Sequence, residues 1–197
     1  MKRFELLDFS SVCPDCSRRQ TSSEVCSDCL KWRKQSPDYL FRHQAIFAYN
    51  AFAKEWMERF KFDGDIRVAS MIAPTLKEAV EKITNVETVV PIPIASSSLA
   101  KRGFNQMEIM LNYAGVKYST LLENRSSGEN QATKSRLERL AMEQPFKLKD
   151  DHAVHSIKGQ RLVVVDDVYT TGRTIRYAAE CLVDAGAASV QTVSLFR

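Results

Sequence analysis

Apolar runs and amphipathic stretches alternate along the second half of the chain. Four apolar runs have the length of strands, the second of them brief: residues 86–94, 118–125, 160–168 and 189–197. Residues 96–116 and 172–186 carry apolar side chains at helical spacing, and the serines that open the first of these stretches are expected to cap its helix. Strands that alternate with helices form right-handed βαβ units, so the pattern predicts an α/β fold with a parallel sheet flanked by helices.

The first half of the chain is expected to hold one strand followed by two helical segments. Residues 39–50 have the apolar content of a strand. Aromatic residues then recur four apart, which predicts an amphipathic helix that ends at Gly64. These aromatic positions are Phe52, Trp56 and Phe60. The helical pattern resumes over residues 67–83 and is interrupted near Pro74.

Four of the five cysteines form two C-x2-C pairs near the start of the chain, with nine residues between the pairs. They are Cys13, Cys16, Cys26 and Cys29. Each pair can present two thiolates from one tight turn, and four thiolates complete a tetrahedral zinc site with no open position for catalysis. Two disulfides are the alternative, and the absence of a secretory signal argues against them. We therefore predict a structural zinc knuckle over residues 1–38 and a second domain over residues 39–197, with the fifth cysteine, Cys181, as a buried core thiol.

Composition is that of an ordinary globular protein, with 44% hydrophobic and 26% charged residues. No apolar run approaches the roughly 18 to 20 residues that a membrane-spanning helix requires, so we expect a cytoplasmic protein, with attachment to the inner face of the membrane as an alternative. The formal net charge is +4, and the basic excess lies mainly at residues 99–139, where seven Lys and Arg stand against four Asp and Glu. The excess thus lies in the middle of the chain and does not form a basic DNA-binding tail.

The stretch "VVVDDVYTTGRT" at residues 163–174 carries the candidate chemistry. An apolar strand ends on Asp166 and Asp167, and ligands of parallel sheets bind beyond the carboxyl ends of the strands. The next helix begins near Gly172, where free backbone N–H groups and a partial positive charge favour a phosphate. Hydroxyl donors stand on the same turn, at Thr170, Thr171 and Thr174. Two carboxylates beside a phosphate are better suited to accept hydrogen bonds from neutral hydroxyls, so the stretch predicts a sugar 5-phosphate site.

Residues 162–174 resemble the thirteen-residue signature with which type I phosphoribosyltransferases bind phosphoribosyl pyrophosphate (PRPP). The dinucleotide and nucleoside-triphosphate glycine motifs, by contrast, are absent from the sequence. Further motifs resemble the ComF (ComFC) family of competence proteins. They are the four-cysteine knuckle, "FKFDGD" at 60–65, "VVPIPI" at 89–94, "RGFNQ" at 102–106, "KSRLER" at 134–139 and the C-terminal "SLFR". The resemblance covers nearly the whole chain.

The resemblance implies a role for most residues of the candidate site. Asp166 and Asp167 would hold the ribose 2- and 3-hydroxyls of PRPP. The 5-phosphate would lie against Thr170, Thr171, Gly172, Arg173 and Thr174, mostly through backbone N–H groups. The pyrophosphate would lie against the loop formed by Ile94, Ala95, Ser96 and Ser97. Mg²⁺ is expected with the pyrophosphate, because such an anion is normally neutralised by an oxygen-liganded metal.

Two groups of basic residues have open interpretations. Lys101 and Arg102 would offset pyrophosphate charge, or are solvated surface cations. Three more, Lys134, Arg136 and Arg139, lie on a segment expected to be mobile, where the family fold carries a closing loop. They would attract the anionic ligand and help to exclude water, or serve only solubility.

Two classes of function remain open at this stage. The first is a PRPP-binding protein of natural transformation that handles incoming single-stranded DNA, with other competence proteins as partners and aromatics such as Trp32, Tyr39 and Phe41 for base stacking. The second is an active transferase that moves ribose 5-phosphate from PRPP to an unknown nucleophile and releases pyrophosphate. In phosphoribosyltransferases of this type, a hood packed over the carboxyl edge of the sheet selects the acceptor nucleophile. The resemblance implies that such a hood would here be formed by residues 1–90.

Overall fold

The computed structural model describes residues 3–36, 40–126 and 144–197 and centres on a four-stranded parallel sheet. Its strands are His43–Phe47 (β1), Thr88–Pro91 (β2), Arg161–Val168 (β5) and Ser189–Phe196 (β6). They lie in the order β1-β6-β5-β2, and every neighbouring pair is parallel. The predicted parallel sheet flanked by helices is thus confirmed.

Seven α-helices and two short 3-10 helices accompany the strands in the described part of the chain. The α-helices are α1 Ser27–Gln35, α2 Ala51–Lys61, α3 Ala73–Glu81, α4 Ser96–Arg102, α5 Gln106–Ala114, α6 Asp151–Ile157 and α7 Arg173–Asp184. The 3-10 helices are Phe9–Ser11 and Ile66–Met71. As the sequence predicts, α2 buries Trp56 and Phe60, and the helical pattern is interrupted before α3, which has Pro74 in its first turn.

The two faces of the sheet carry separate cores. Along β5, Val163 and Val165 pack in one core with residues of α2, α3 and α5. Leu162 and Val164 point the other way and pack in a second core with residues of α7 and with the four N-terminal cysteines. This alternation continues into the polar end of β5, so consecutive residues there face different surroundings.

The structure differs from the sequence-based expectation at residues 96–116. Two helices, α4 and α5, replace the single helix, because Gly103 at φ 78° adopts the left-handed conformation that ends α4. Asn105 then caps α5 by accepting a hydrogen bond from the Met107 N–H at 2.9 Å. The residue before α4 is Ala95, and no side chain caps that helix.

The strand predicted at residues 118–125 is present but lies outside the main sheet. It spans Leu122–Asn124 (β3) and pairs antiparallel with Phe146–Leu148 (β4). Leu122 and Phe146 are buried in the same core as α7, so this short pair covers one side of the sheet. Cys181 is half-buried on α7 rather than fully buried, with its Sγ 3.6 Å from the Phe146 carbonyl oxygen.

The N-terminal residues run along the free edge of β1. Leu7 N–H donates to the Ile46 carbonyl at 3.0 Å, and Ala48 N–H donates to the Glu5 carbonyl at 2.8 Å. These bonds cover an otherwise unpaired strand edge. The division into domains at residue 38 stays a prediction. Among the described residues, no helix is long and apolar enough to cross a membrane.

Candidate ligand site and candidate metal centre

The two aspartates of the signature lie at the carboxyl end of β5, between β2 and β6. Val165 is paired with Pro91, and Asp166 with Ser194, so the loops that follow β2 and β5 lie at the same edge of the sheet. Adjacent strand residues face opposite sides, which separates the surroundings of Asp166 from those of Asp167.

Asp167 is buried and already has charged and polar partners. Its Oδ2 lies 2.7 Å from the Lys61 Nζ at the end of α2, and the Gln106 Nε2 donates to the same oxygen. The Arg102 Nη1 in turn donates to the Gln106 Oε1. This network gives "FKFDGD" and "RGFNQ" a structural role that their spacing in the sequence did not reveal. The sequence indicates the position of Lys61 only weakly. Lys61 follows the buried Phe60 at the end of an amphipathic helix, which brings it near the edge of the sheet.

Asp166 is only partly exposed and forms no ion pair among the described residues, although the charge of Lys61 also acts on it and opposes the rise in its pKa. Close surrounding by protein atoms, together with the neighbouring charge of Asp167, raises the pKa of Asp166 to about 7. The Asp167 backbone N–H donates to the Asp166 Oδ1 at 2.8 Å, which opposes that rise. A carboxyl group in this condition is stabilised in its ionised form by hydroxyl donors or by a cation.

Residues 169–174, here the threonine loop, connect β5 to α7 in a conformation that requires glycine. Gly172 has φ 79°, and a Cβ on it would lie 2.1 Å from the Tyr169 hydroxyl oxygen. Tyr169 is buried beside His43, with ring centroids 4.4 Å apart, and burial raises its pKa to about 12. The phenol ring therefore supports the loop from beneath.

The outer side of the threonine loop is polar and open to solvent. Its exposed residues are Thr170, Thr171 and Thr174, and Arg173 is half-exposed with its guanidinium 5.8 Å from the centre of the Tyr177 ring. Gly172 occupies the N-cap of α7 and has no side chain to cap it, and the Thr171 hydroxyl oxygen is 3.5 Å from the Arg173 backbone nitrogen. The first-turn amides of α7 are the donors that an anion would use.

The loop predicted for pyrophosphate lies beside the threonine loop, because β2 is the neighbour of β5. It comprises Ile94 and Ala95, which are half-buried, and Ser96 and Ser97, which are exposed. Lys101 is exposed on α4, whereas Arg102 is half-buried through its bond to Gln106. Lys134, Arg136 and Arg139 lie outside the described residues, as does Tyr39.

The four N-terminal cysteines, here the cysteine cluster, converge on one buried point. Their sulfur atoms all lie within 4.8 Å of one another, and none forms a disulfide. Cys16 Sγ and Cys26 Sγ are 3.8 Å apart. Zinc–sulfur bonds of about 2.3 Å place the sulfurs of a tetrahedral site about 3.8 Å apart, so these side chains can hold a zinc ion.

Two arginines near the cysteine cluster were not recognised from the sequence. The Arg176 Nη2, on α7, lies 3.3 Å from the Cys29 Sγ, and the Arg197 Nη2, after β6, lies 3.2 Å from the Cys16 Sγ. Arg176 also lies over the Phe41 ring, with its Cζ 3.7 Å from the ring centre. Phe41 is buried, which corrects the expectation that it is available to stack on nucleic-acid bases, and Trp32 is partly covered by the same arginine.

A cavity of about 430 Å³ opens at the other end of the sheet, near the first residues of β1 and β6. Its lining includes Arg33, Arg42 and Gln191. Ligands of parallel sheets bind beyond the carboxyl ends of the strands, so we place the candidate ligand site at the threonine loop rather than in this cavity.

Known proteins are similar to this chain over nearly its whole length. A family profile described as "Phosphoribosyl transferase domain" matches residues 66–197. Competence protein ComFC of Streptococcus pneumoniae is 38% identical over 185 residues, which cover 94% of this chain and 80% of that protein. Competence protein ComFC of Bacillus subtilis is 34% identical over 192 residues, with 94% and 78% covered. DNA utilization protein YhgH of Salmonella typhimurium is 26% identical over 200 residues, with 95% and 84% covered.

Proposed function

The chain belongs to the ComFC family and carries a phosphoribosyl transferase domain, and from this premise we propose that it binds PRPP at the threonine loop and serves in DNA uptake. One observation carries the proposal. Asp166, with a pKa raised to about 7, lies at the carboxyl end of a central parallel strand, and the loop after it leads to the N-terminus of α7, where the N-cap is a glycine. A ligand with a hydroxyl pair and a phosphate tail satisfies both features together.

The ribose and its 5-phosphate fit the two ends of this short segment. The phosphate would accept hydrogen bonds from backbone amides of residues 170–174 and from the threonine hydroxyls. The ribose hydroxyls would donate to Asp166 and to Asp167. Lys61 and Gln106 both contact the Oδ2 of Asp167, which leaves its Oδ1 for a hydroxyl donor.

The pyrophosphate would lie between the threonine loop and the loop after β2. Ser96 and Ser97 are exposed there and can donate hydrogen bonds. Mg²⁺ would neutralise part of the pyrophosphate charge through oxygen ligands, and Lys101 and Arg102 would add positive charge. We keep the closing role of Lys134, Arg136 and Arg139 as part of the proposal.

The biological setting follows from the relatives. Two of them are named competence proteins and a third a DNA utilization protein. We propose that this chain acts with incoming single-stranded DNA and with other competence proteins, on the cytoplasmic side of the membrane. Turnover of PRPP, with transfer of ribose 5-phosphate to a nucleophile, is the second candidate function, favoured by the match to the phosphoribosyl transferase domain.

Isothermal calorimetry with PRPP and Mg²⁺ tests the binding site. We expect Asp166→Asn to weaken binding at least about tenfold, because a carboxylate acceptor is lost from the ribose. Asp184→Asn is the matched control, since Asp184 is exposed at the far end of α7, and it should bind as the unchanged protein does. No heat from PRPP with the native fold intact would overturn the proposal.

A second pair of measurements separates the two candidate functions. Release of pyrophosphate from PRPP that disappears in the Asp166→Asn, Asp167→Asn double variant supports a transferase. Binding of single-stranded DNA that falls with rising salt, and that survives in the same variant, supports a DNA-handling protein in which PRPP is a ligand. Loss of DNA binding in the folded double variant would contradict separate PRPP and DNA surfaces.

A further inference from the structure

Two guanidinium groups join the cysteine cluster to the elements of the candidate ligand site. Arg176, in the first turn of α7, donates to Cys29, and Arg197, at the end of β6, donates to Cys16. The two arginines together therefore contact both C-x2-C pairs, Arg176 the second pair and Arg197 the first. The two contacts are close in length, 3.3 Å and 3.2 Å between nitrogen and sulfur.

The charges of the two arginines are compensated by sulfur rather than by carboxylates. Arg176 is buried, with 5% of its surface exposed, and Arg197 is half-buried. Within residues 3–36, 40–126 and 144–197, no aspartate or glutamate side chain forms an ion pair with either one. A buried cation is costly without an anion nearby. Four thiolates around one divalent cation carry two net negative charges, which match the two guanidinium groups.

The same arginines hold the threonine loop. The Arg197 Nη1 lies 3.4 Å from the carbonyl oxygens of both Tyr169 and Thr170, and its Cζ lies 4.2 Å from the centre of the Tyr169 ring. The Tyr169 hydroxyl fills the space beside Gly172. On the other side, the Arg176 backbone N–H donates to the Gly172 carbonyl at 3.0 Å. The Arg176 guanidinium is in addition hydrogen-bonded to the Tyr169 side chain. A shift of either guanidinium therefore displaces the loop.

We propose that Arg176 and Arg197 are positioning residues that couple the cysteine cluster to the threonine loop, so that a bound metal and a bound phosphoribosyl ligand stabilise each other. The metal fixes the thiolates, the thiolates hold the guanidinium groups, and these groups hold the loop that receives the 5-phosphate. This inference rests on the proposed function, because it requires the loop to bind that ligand. Coupling between two sites is reciprocal, so the ligand must also retain the metal.

Release of zinc to a zinc-selective chromogenic chelator measures this coupling without reference to any activity. The zinc-loaded full chain is followed with and without saturating PRPP and Mg²⁺, and we expect PRPP to slow release at least about fivefold. Any zinc that free PRPP binds is drawn away from the protein, so PRPP acting as a zinc ligand in solution would not by itself retain zinc at the cysteine cluster. We expect Arg197→Met and Arg176→Met still to bind one zinc per chain, but to release it at nearly the same rate with and without PRPP.

Two further variants keep the test decisive. Arg161→Met removes an exposed arginine at the opposite end of β5, and should retain the full slowing. If Arg197→Met fails to fold, Arg197→Lys tests the same contact. Lysine keeps the positive charge but loses the forked donor geometry, so PRPP should slow zinc release in this variant less than in the unchanged protein.

The outcomes separate the inference from the proposed function. If PRPP gives no calorimetric heat with the unchanged protein, the proposed function fails. If PRPP binds but leaves zinc release unchanged, or if both arginine variants keep the full slowing, the coupling is wrong and the binding site stands.

Discussion

The two faces of the sheet at the end of β5 compensate charge in opposite ways. On one face a buried carboxylate, Asp167, is paired with Lys61 and hydrogen-bonded to Gln106. On the other face the buried ion is a guanidinium, Arg176, and its counterpart is sulfur. Asp166, the residue before Asp167, forms no ion pair among the described residues and has a raised pKa. The comparison indicates that the Oδ2 of Asp167 has its stabilising partners within the protein, whereas the Oδ1 of Asp167 and the carboxylate of Asp166 are available to a ligand.

The largest expected loss of stability comes from removing a sulfur atom that faces a buried guanidinium group. Cys29→Ser removes a candidate metal ligand and the counter-charge of Arg176, so we expect a loss of about 4 kcal/mol or more in the free energy of unfolding, together with loss of bound zinc. Urea unfolding and metal analysis measure the two effects. Cys181→Ser is the control, because this half-buried thiol lies outside the cysteine cluster and should cost less than about 1 kcal/mol. Equal losses in both variants would contradict the role of the cluster.

Lys61→Met removes the ion pair of the buried carboxylate Asp167. This change leaves Asp167 buried without its cation, and we expect the free energy of unfolding to fall by about 3 kcal/mol. Lys54→Met, on the same helix, removes an exposed pair with Glu58 and should cost about 0.3 to 0.5 kcal/mol. Urea unfolding of the two variants side by side checks the difference, and similar midpoints would show that the buried pair contributes little.

Gly172→Ala tests the support beneath the threonine loop. Gly172 and Gly64 both have positive φ, but only a Cβ on Gly172 would overlap Tyr169. We expect Gly172→Ala to destabilise the protein by about 2 to 3 kcal/mol and to weaken PRPP binding, whereas Gly64→Ala should cost about 1 kcal/mol and leave binding unchanged. Thermal unfolding and calorimetry report the two quantities. Unimpaired PRPP binding in Gly172→Ala would argue against this loop as the phosphate site.

Asp166→Asn should produce the smallest effect on stability, and of opposite sign. The pKa of Asp166 is about 7 in the folded protein and 3.8 ordinarily, so the folded state holds this proton more tightly and stability from this group falls as pH rises from 4 to 7. The variant should therefore equal the unchanged protein near pH 4 and exceed it by about 1 kcal/mol or more at pH 8. Unfolding curves across this range measure the difference, and a variant that is less stable at pH 8 would contradict the raised pKa.

The fold was predictable wherever local pattern decides structure. The run before Asp166 is apolar throughout, as buried parallel strands are, and the spacing of the cysteines indicated their convergence. The pattern failed at residues 96–116, where the left-handed conformation of Gly103 divides a stretch whose apolar spacing is continuous. That break places Asn105 and Gln106 against the ends of β2 and β5.

The connections within the site could not be read from sequence because they join residues far apart in the chain. Lys61 meets Asp167, and Arg197 meets Cys16, through the packing of elements on the sheet. Neither contact has a local signal, since each basic residue alone resembles a solvated cation. The direction in which each aspartate faces, in contrast, follows from strand alternation, but its consequence depends on what lies on each face.

A crystal structure determined after soaking with PRPP and Mg²⁺ tests the central claim most directly. The account predicts density for the 5-phosphate within hydrogen-bond distance of the backbone amides of residues 170–174, with ribose hydroxyls at the carboxylates of Asp166 and Asp167. Density for the ligand in the cavity beside Arg42, with the threonine loop empty at saturating PRPP, would contradict it.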